Sequence, residues 1–134
     1  MKKIAYFLEF ILIKILFLLF QLIGYRLSSD LGFFIGRTIG PIFKSKKIII
    51  QNIKKANIKH SDNPSQIASN VLGNYGRIFA EYVYLKKFRN DELKKYVSID
   101  GLEHLENLKN NNKKAVFISG HFNNFELMAM EIEK

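Results

Sequence analysis

Residues 4–23, IAYFLEFILIKILFLLFQLI, form the oiliest run in the chain and predict one long helix. At 1.5 Å per residue the run reaches about 30 Å, the thickness of a bilayer's hydrocarbon core. Glu9 and Lys14 interrupt it, and charge at membrane depth is costly. A tilted span and a helix lying in the interface both satisfy the pattern. A cleaved signal peptide fits less well, because the run is long and no A-x-A-like site follows it. Beyond Gly24, Ser28-Ser29-Asp30 offers an N-cap for a short helix that Gly40-Pro41 would stop. Gly32, Gly36 and Gly40 recur every four residues on one face of it, so another helix or a lipid surface can approach closely. A basic helix over residues 44–59 follows and contains Asn52.

Pro64, after Ser61-Asp62-Asn63, suits a helix first turn. The apolar period then predicts helix to about Leu85, with Ile67, Val71, Leu72, Tyr75, Ile78, Phe79, Tyr82 and Val83 on one broad face. Gly73, Gly76 and Ala80 make a small-residue strip beside it. Asn74, Arg77 and Glu81 fall at i, i+3 and i+7 as a narrow polar stripe. On the residues alone this stripe reads as an i,i+4 Arg–Glu pair, worth a few tenths of a kcal/mol. Farther on, Val97-Ser98-Ile99 predicts a short strand, residues 101–109 a short helix, and residues 115–119 (AVFIS) a buried strand. Gly120-His121 ends that strand, and a last helix starts at about Phe125. Strand, helix, strand, helix in that order predicts an α/β fold with parallel or mixed pairing. The expected organisation is a membrane anchor helix over residues 1–25, then a helical segment and the start of an α/β domain within residues 26–134. The chain ends inside a helical pattern with no stop signal, so further sequence beyond Lys134 is expected.

Charge sharpens the membrane reading. The net charge is +9 over 134 residues. Residues 1–60 hold eleven Lys and Arg against Glu9 and Asp30, whereas the rest of the chain is balanced. A basic collar beside an apolar segment suits anionic lipid head groups, at about 1 kcal/mol per basic residue near the surface. Nucleic acid is the weaker partner, because the positive residues flank the oiliest stretch and track no polar groove. Arg26, Arg37, Lys44, Lys46 and Lys47 follow the run, against Lys2 and Lys3 before it, which places the remainder in the cytoplasm. The absence of cysteine excludes disulfides, thiolate metal sites and a cysteine nucleophile.

One segment carries candidate chemistry. His121 stands just past the carboxyl end of the predicted strand, where open α/β sheets bind ligands. Glu126 stands in the first turn of the next helix. On a continuous helix, side chains five residues apart diverge by about 140°, but a strand-to-helix corner lets the loop fold His121 back over the helix start. A carboxylate on the imidazole fixes its tautomer, leaving the other nitrogen to take a proton from a hydroxyl. By spacing alone, the same two residues also describe an ordinary loop histidine and a helix-start acid favoured by the dipole.

His121-x4-Glu126 within ISGHFNNFEL resembles the H-x4-D/E motif of the glycerolipid acyltransferase superfamily. The wider context is similar to the lipid A biosynthesis lauroyl/myristoyl acyltransferases: an N-terminal membrane helix, a basic helix around Asn52, and an N-x-G-R-x-x-x-E stretch matched by Asn74, Gly76, Arg77 and Glu81. A G-x-E/D-H segment follows, matched by Gly101-Leu102-Glu103-His104, and then the strand and H-x4-E. This resemblance implies transfer of a fatty acyl group from acyl carrier protein to a hydroxyl of a lipid A precursor, at the bacterial inner membrane, with the catalytic part cytoplasmic. It makes His121 the general base and Glu126 its orienting partner. Asn74, Arg77, Glu81, Asn123 and Asn124 become substrate-binding or supporting residues. No metal, cofactor or covalent nucleophile is required, and backbone N–H groups of residues 122–124 are candidate oxyanion donors. It also implies a later arginine-containing substrate motif beyond Lys134. The rival readings are a non-catalytic or truncated membrane module holding anionic lipid, and an acyltransferase with another glycolipid or glycerolipid acceptor.

Overall fold

A computed structural model of the chain describes residues 2–43, 45–56 and 63–133. Contacts divide it into two units, the first ending at Tyr84 and the second starting at Leu85.

The first unit opens with α1, Lys2–Ile23. It starts two residues before the predicted run and ends where predicted, because Gly24 at φ +84° breaks the helix in a conformation that costs a glycine nothing. The span Lys3–Ile23 is long and apolar enough to cross a membrane, and only 6% of it is buried within the fold. Its C-terminal end is the packed part. Phe20 is 2% exposed, and the Phe17 ring meets the Phe79 ring at 5.1 Å.

The second helix, α2, runs Tyr25–Phe43, longer at both ends than the Ser28 cap and the Gly40-Pro41 stop imply. Ser28 and Ser29 do not cap. They lie inside the helix and are buried, with Ser28 Oγ 2.6 Å from the Phe20 carbonyl oxygen and 2.7 Å from that of Gly24, so that its one hydrogen has two acceptors in reach. Pro41 sits inside the last turn, where it offers no N–H to the Arg37 carbonyl, and the helix ends two residues later. After α3, Lys46–Lys55, comes α4, Pro64–Glu81. Asn63 caps α4, its side chain accepting from the Ser65 N–H at 2.9 Å. Lys44, residues 57–60 (the end of the basic helix and His60), and Ser61 and Asp62 of the proposed cap lie outside the described residues.

The main packing of this unit joins α2 to α4 through their smallest residues. A Cβ on Gly32 would come within 2.6 Å of both Ala80 Cβ and the Gly76 carbonyl oxygen. Gly36 and Gly76 approach each other as closely, backbone against backbone. Gly73 takes the Phe33 ring in the same way. The strip of Gly73, Gly76 and Ala80 is therefore the helix–helix contact, with Leu72 and Ala68 beside it, while Tyr75, Phe79 and Tyr82 of the broad apolar face remain 52%, 37% and 40% exposed.

A 3-10 turn, Tyr82–Tyr84, ends the first unit. The second contains α5 (Leu85–Arg89), a 3-10 turn at Lys94–Tyr96, α6 (Leu102–Asn110) and α7 (Glu126–Glu133). Gly101 starts α6 in the left-handed region at φ +82°. Arg89 and Glu133 join α5 to α7 by an exposed ion pair at 2.9 Å, a contact of at most about 1 kcal/mol.

The α/β expectation is overturned: every regular element is helical, and no strand occurs among the described residues. The two predicted strands fail for one reason. Val97 has extended angles, but a strand is defined by its neighbour, and neither Val97-Ser98-Ile99 nor residues 115–119 pair into a ladder. The apolar side chains of the second segment stay in the open, with Val116 88% and Ile118 94% exposed. The predicted burial was the step that failed.

Candidate active site

The corner between residues 119 and 126 follows from local chemistry. The Phe122 N–H bonds back to the Gly120 carbonyl at 2.9 Å, turning the chain just past the extended segment. Phe122 folds its ring over Gly120, where an added Cβ would lie 2.5 Å from the ring edge. Asn123 then takes φ +44°, the left-handed region that asparagine tolerates better than most side chains. The N–H groups of Leu127 and Met128 close the first turn on the carbonyls of Asn124 and Phe125 at 3.2 Å each, and Glu126 is the first residue of α7.

His121 is exposed at this corner, and its ring packs against the Phe125 ring with centroids 4.1 Å apart. That contact folds the imidazole back onto the start of α7. Glu126 and Asn124 are half-buried and Asn123 is exposed. A carboxylate in a first turn is favoured by the N–H groups there. Phe122 commits its N–H to Gly120, which moves the candidate oxyanion donors on to Asn123 and Asn124.

The polar stripe of α4 belongs to the first unit. Glu81 is 6% exposed and accepts hydrogen bonds from Ser29 Oγ at 2.8 Å and Tyr25 Oη at 3.3 Å. Arg77 lays its guanidinium 4.8 Å over the Phe33 ring and reaches Asp30 at 3.8 Å. The Nε of Arg77 is buried, with no hydrogen-bond partner among the described residues. Asn74 is half-buried one turn earlier. Arg77 and Glu81 are thus tied into α2 and are more than a solvated pair along one helix.

Beside it lies a buried polar junction that the sequence does not announce, because Ser28 and Ser29 read there as a cap and Tyr84 carries no signal of its own. Tyr84 Oη donates to the Phe20 carbonyl and lies 3.0 Å from Ser28 Oγ, close enough to accept from it when Ser28 turns its hydrogen that way. Ser28, Ser29, Gly32 and Gly36 sit on one face of a single helix, and that spacing was the available signal. Among the described residues no group of three or more His, Cys, Asp or Glu side chains could hold a metal ion.

The model of the bacterial lipid A biosynthesis acyltransferases matches residues 1–134, the whole chain. The protein belongs to that family. No curated protein and no solved structure matches it. As a lipid A biosynthesis acyltransferase it is an enzyme of the transferase class, acting with an acyl donor and a lipid acceptor in the synthesis of lipid A.

His104, the other described histidine, differs from His121 in its surroundings. It lies on α6 with its side chain 82% exposed, 3.6 Å from its neighbour Glu103. It also lines an apolar hollow of about 610 Å³ with Val97, Ile99, Leu105, Phe117 and Met128.

Proposed function

We propose that this acyltransferase moves a fatty acyl chain from the thioester of acyl carrier protein to a hydroxyl of a lipid A precursor. It does so at the inner membrane, with residues 1–25 as anchor and residues 26–134 as part of a cytoplasmic catalytic domain. The observation that carries the reading is the family match over the whole chain, together with an H-x4-E pair whose histidine is exposed at a corner.

His121 takes the proton of the acceptor hydroxyl as the oxygen attacks the thioester carbonyl. Glu126 orients the imidazole and stabilises its cation. The tetrahedral oxyanion is met by backbone N–H groups at Asn123 and Asn124. Collapse breaks the C–S bond, the imidazolium returns its proton to the departing sulfur, and an ester and a free thiol leave. Asn74 and Arg77 take the role of substrate-binding residues, and Glu81 supports them by holding α4 to α2.

The reading is tested by incubating the intact protein, in membranes, with labelled acyl–acyl carrier protein and a lipid A precursor. Label moving into the lipid as an alkali-labile ester supports both donor and acceptor. Label moving only from a different thioester donor, or only to a glycerolipid, replaces the corresponding half.

A further inference from the structure

α2 carries a second apolar surface that its packing on α4 does not use. Leu27, Leu31, Phe34, Thr38 and Ile42 follow one another at steps of three and four, so they form one stripe along the helix. Leu27 and Phe34 are each 63% exposed and Ile42 is 79% exposed. Such large side chains aligned over four turns of one helix are a patch and not scattered surface residues.

We propose that this stripe lies in the head-group region of an anionic lipid bilayer, so that α2 rests in the membrane plane as a second contact besides α1. Two observations favour lipid as the occupant. The first is charge: Arg26 and Arg37 are exposed along one flank of the stripe, where long basic side chains reach lipid phosphates while their stems cover apolar surface. The one acid of α2, Asp30, lies on the same flank and faces Arg77 at 3.8 Å. The second is continuity. The other flank passes through Ile35 and Ile39 into an apolar groove of about 310 Å³ that they share with Leu16 and Phe20 of α1. The stripe thus prolongs the surface of the helix fit to enter a membrane. An in-plane helix of this kind buries its apolar face by about 5–10 Å. The inference does not rest on the proposed chemistry, and its test reads no activity.

The chain has no tryptophan, so Phe34→Trp creates a single emitter on the stripe and Asn70→Trp a single emitter on an exposed position of α4. Each full-length variant is reconstituted into phosphatidylcholine–phosphatidylglycerol vesicles containing lipids brominated either near the head group or near the chain end. The expected result for Phe34→Trp is emission shifted to the blue and quenched several-fold more by the shallow bromines than by the deep ones. Asn70→Trp stays solvent-like and is quenched less. Adding Arg26→Glu and Arg37→Glu to Phe34→Trp is expected to reduce the quenching on anionic vesicles. Quenching of Phe34→Trp no stronger than that of Asn70→Trp overturns the proposal. So does a blue shift that fades as protein is diluted into excess lipid, the mark of a second copy on the stripe. Indifference to the two charge reversals overturns the choice of an anionic surface.

Discussion

Gly36 and Gly76 stand backbone to backbone: a Cβ on Gly36 would lie 2.8 Å from both the Cα and the nitrogen of Gly76. A side chain there has no flexible neighbour to displace, so the helices must separate. Gly36→Ala is expected to destabilise the first unit by about 1–3 kcal/mol, the usual cost of overpacking. Gly40→Ala meets only the Leu72 side chain, at 3.1 Å, and replaces a helical glycine, a gain of up to about 1 kcal/mol. Thermal unfolding followed by circular dichroism should therefore separate the two alanines, with Gly36→Ala melting several degrees below Gly40→Ala. Equal melting temperatures would contradict the close α2–α4 contact.

That contact also shows what was legible in the chain. The four-residue repeat of Gly32, Gly36 and Gly40 points to close packing, and the structure supplies the partner, Gly73, Gly76 and Ala80 of α4. The long runs were legible as well: α1, α4 and α6 begin and end near their expected positions, because Gly24, Asn63-Pro64 and Gly101 are strong local signals. Ser28 and Ser29 misled, since a serine pair before an apolar repeat has the same composition as a cap. Only the tertiary partners Tyr84 and Glu81 make it a buried polar junction. The segment AVFIS misled for a related reason. Its residues favour extended backbone, but pairing is a property of two segments and cannot be read from one. Of the candidate site, the H-x4-E spacing was legible, and the turn that brings His121 onto Phe125 was not.

The buried junction makes a second prediction. Glu81→Ala removes the acceptor of Ser29 Oγ, and a buried hydroxyl left without a partner costs about 1–3 kcal/mol. Glu81→Gln keeps an acceptor in place and should lose less. Urea unfolding of the two variants checks the order, and a Glu81→Ala protein as stable as the parent would remove Glu81 from the junction.

Ser28 and Tyr84 should be coupled. Tyr84→Phe loses bonds to Ser28 and to the Phe20 carbonyl, at about 1 kcal/mol. In a double-mutant cycle with Ser28→Ala, the two losses are expected to add to more than the double variant shows. Strict additivity would mean that the two hydroxyls do not share a network.

Membrane attachment is best probed by cutting before Leu16. Removing all of α1 would also remove Phe20, whose side chain and carbonyl belong to the core. A chain starting at Leu16 keeps those contacts and loses the exposed apolar half. It is expected to move in large part from the membrane to the soluble fraction, and the part that stays bound, held by the basic flank and apolar stripe of α2, should fall further with Arg26→Glu and Arg37→Glu. A shortened protein that sediments with membranes as completely as the parent would place the main anchor elsewhere.

The proposed role of His121 is that of the base in an acyl transfer. The measurement is the rate at which labelled acyl groups pass from acyl carrier protein to a lipid A precursor, for the intact protein and for His121→Ala, each shown to be folded and membrane-bound. General-base catalysis is worth about a hundred- to ten-thousand-fold, and His121→Ala is expected to lose that much. Glu126→Gln, which keeps size and removes charge, should also lose heavily. His104→Ala, on an exposed helix position, should retain near-normal rates. A folded His121→Ala protein that transfers acyl groups at the parental rate would contradict the account.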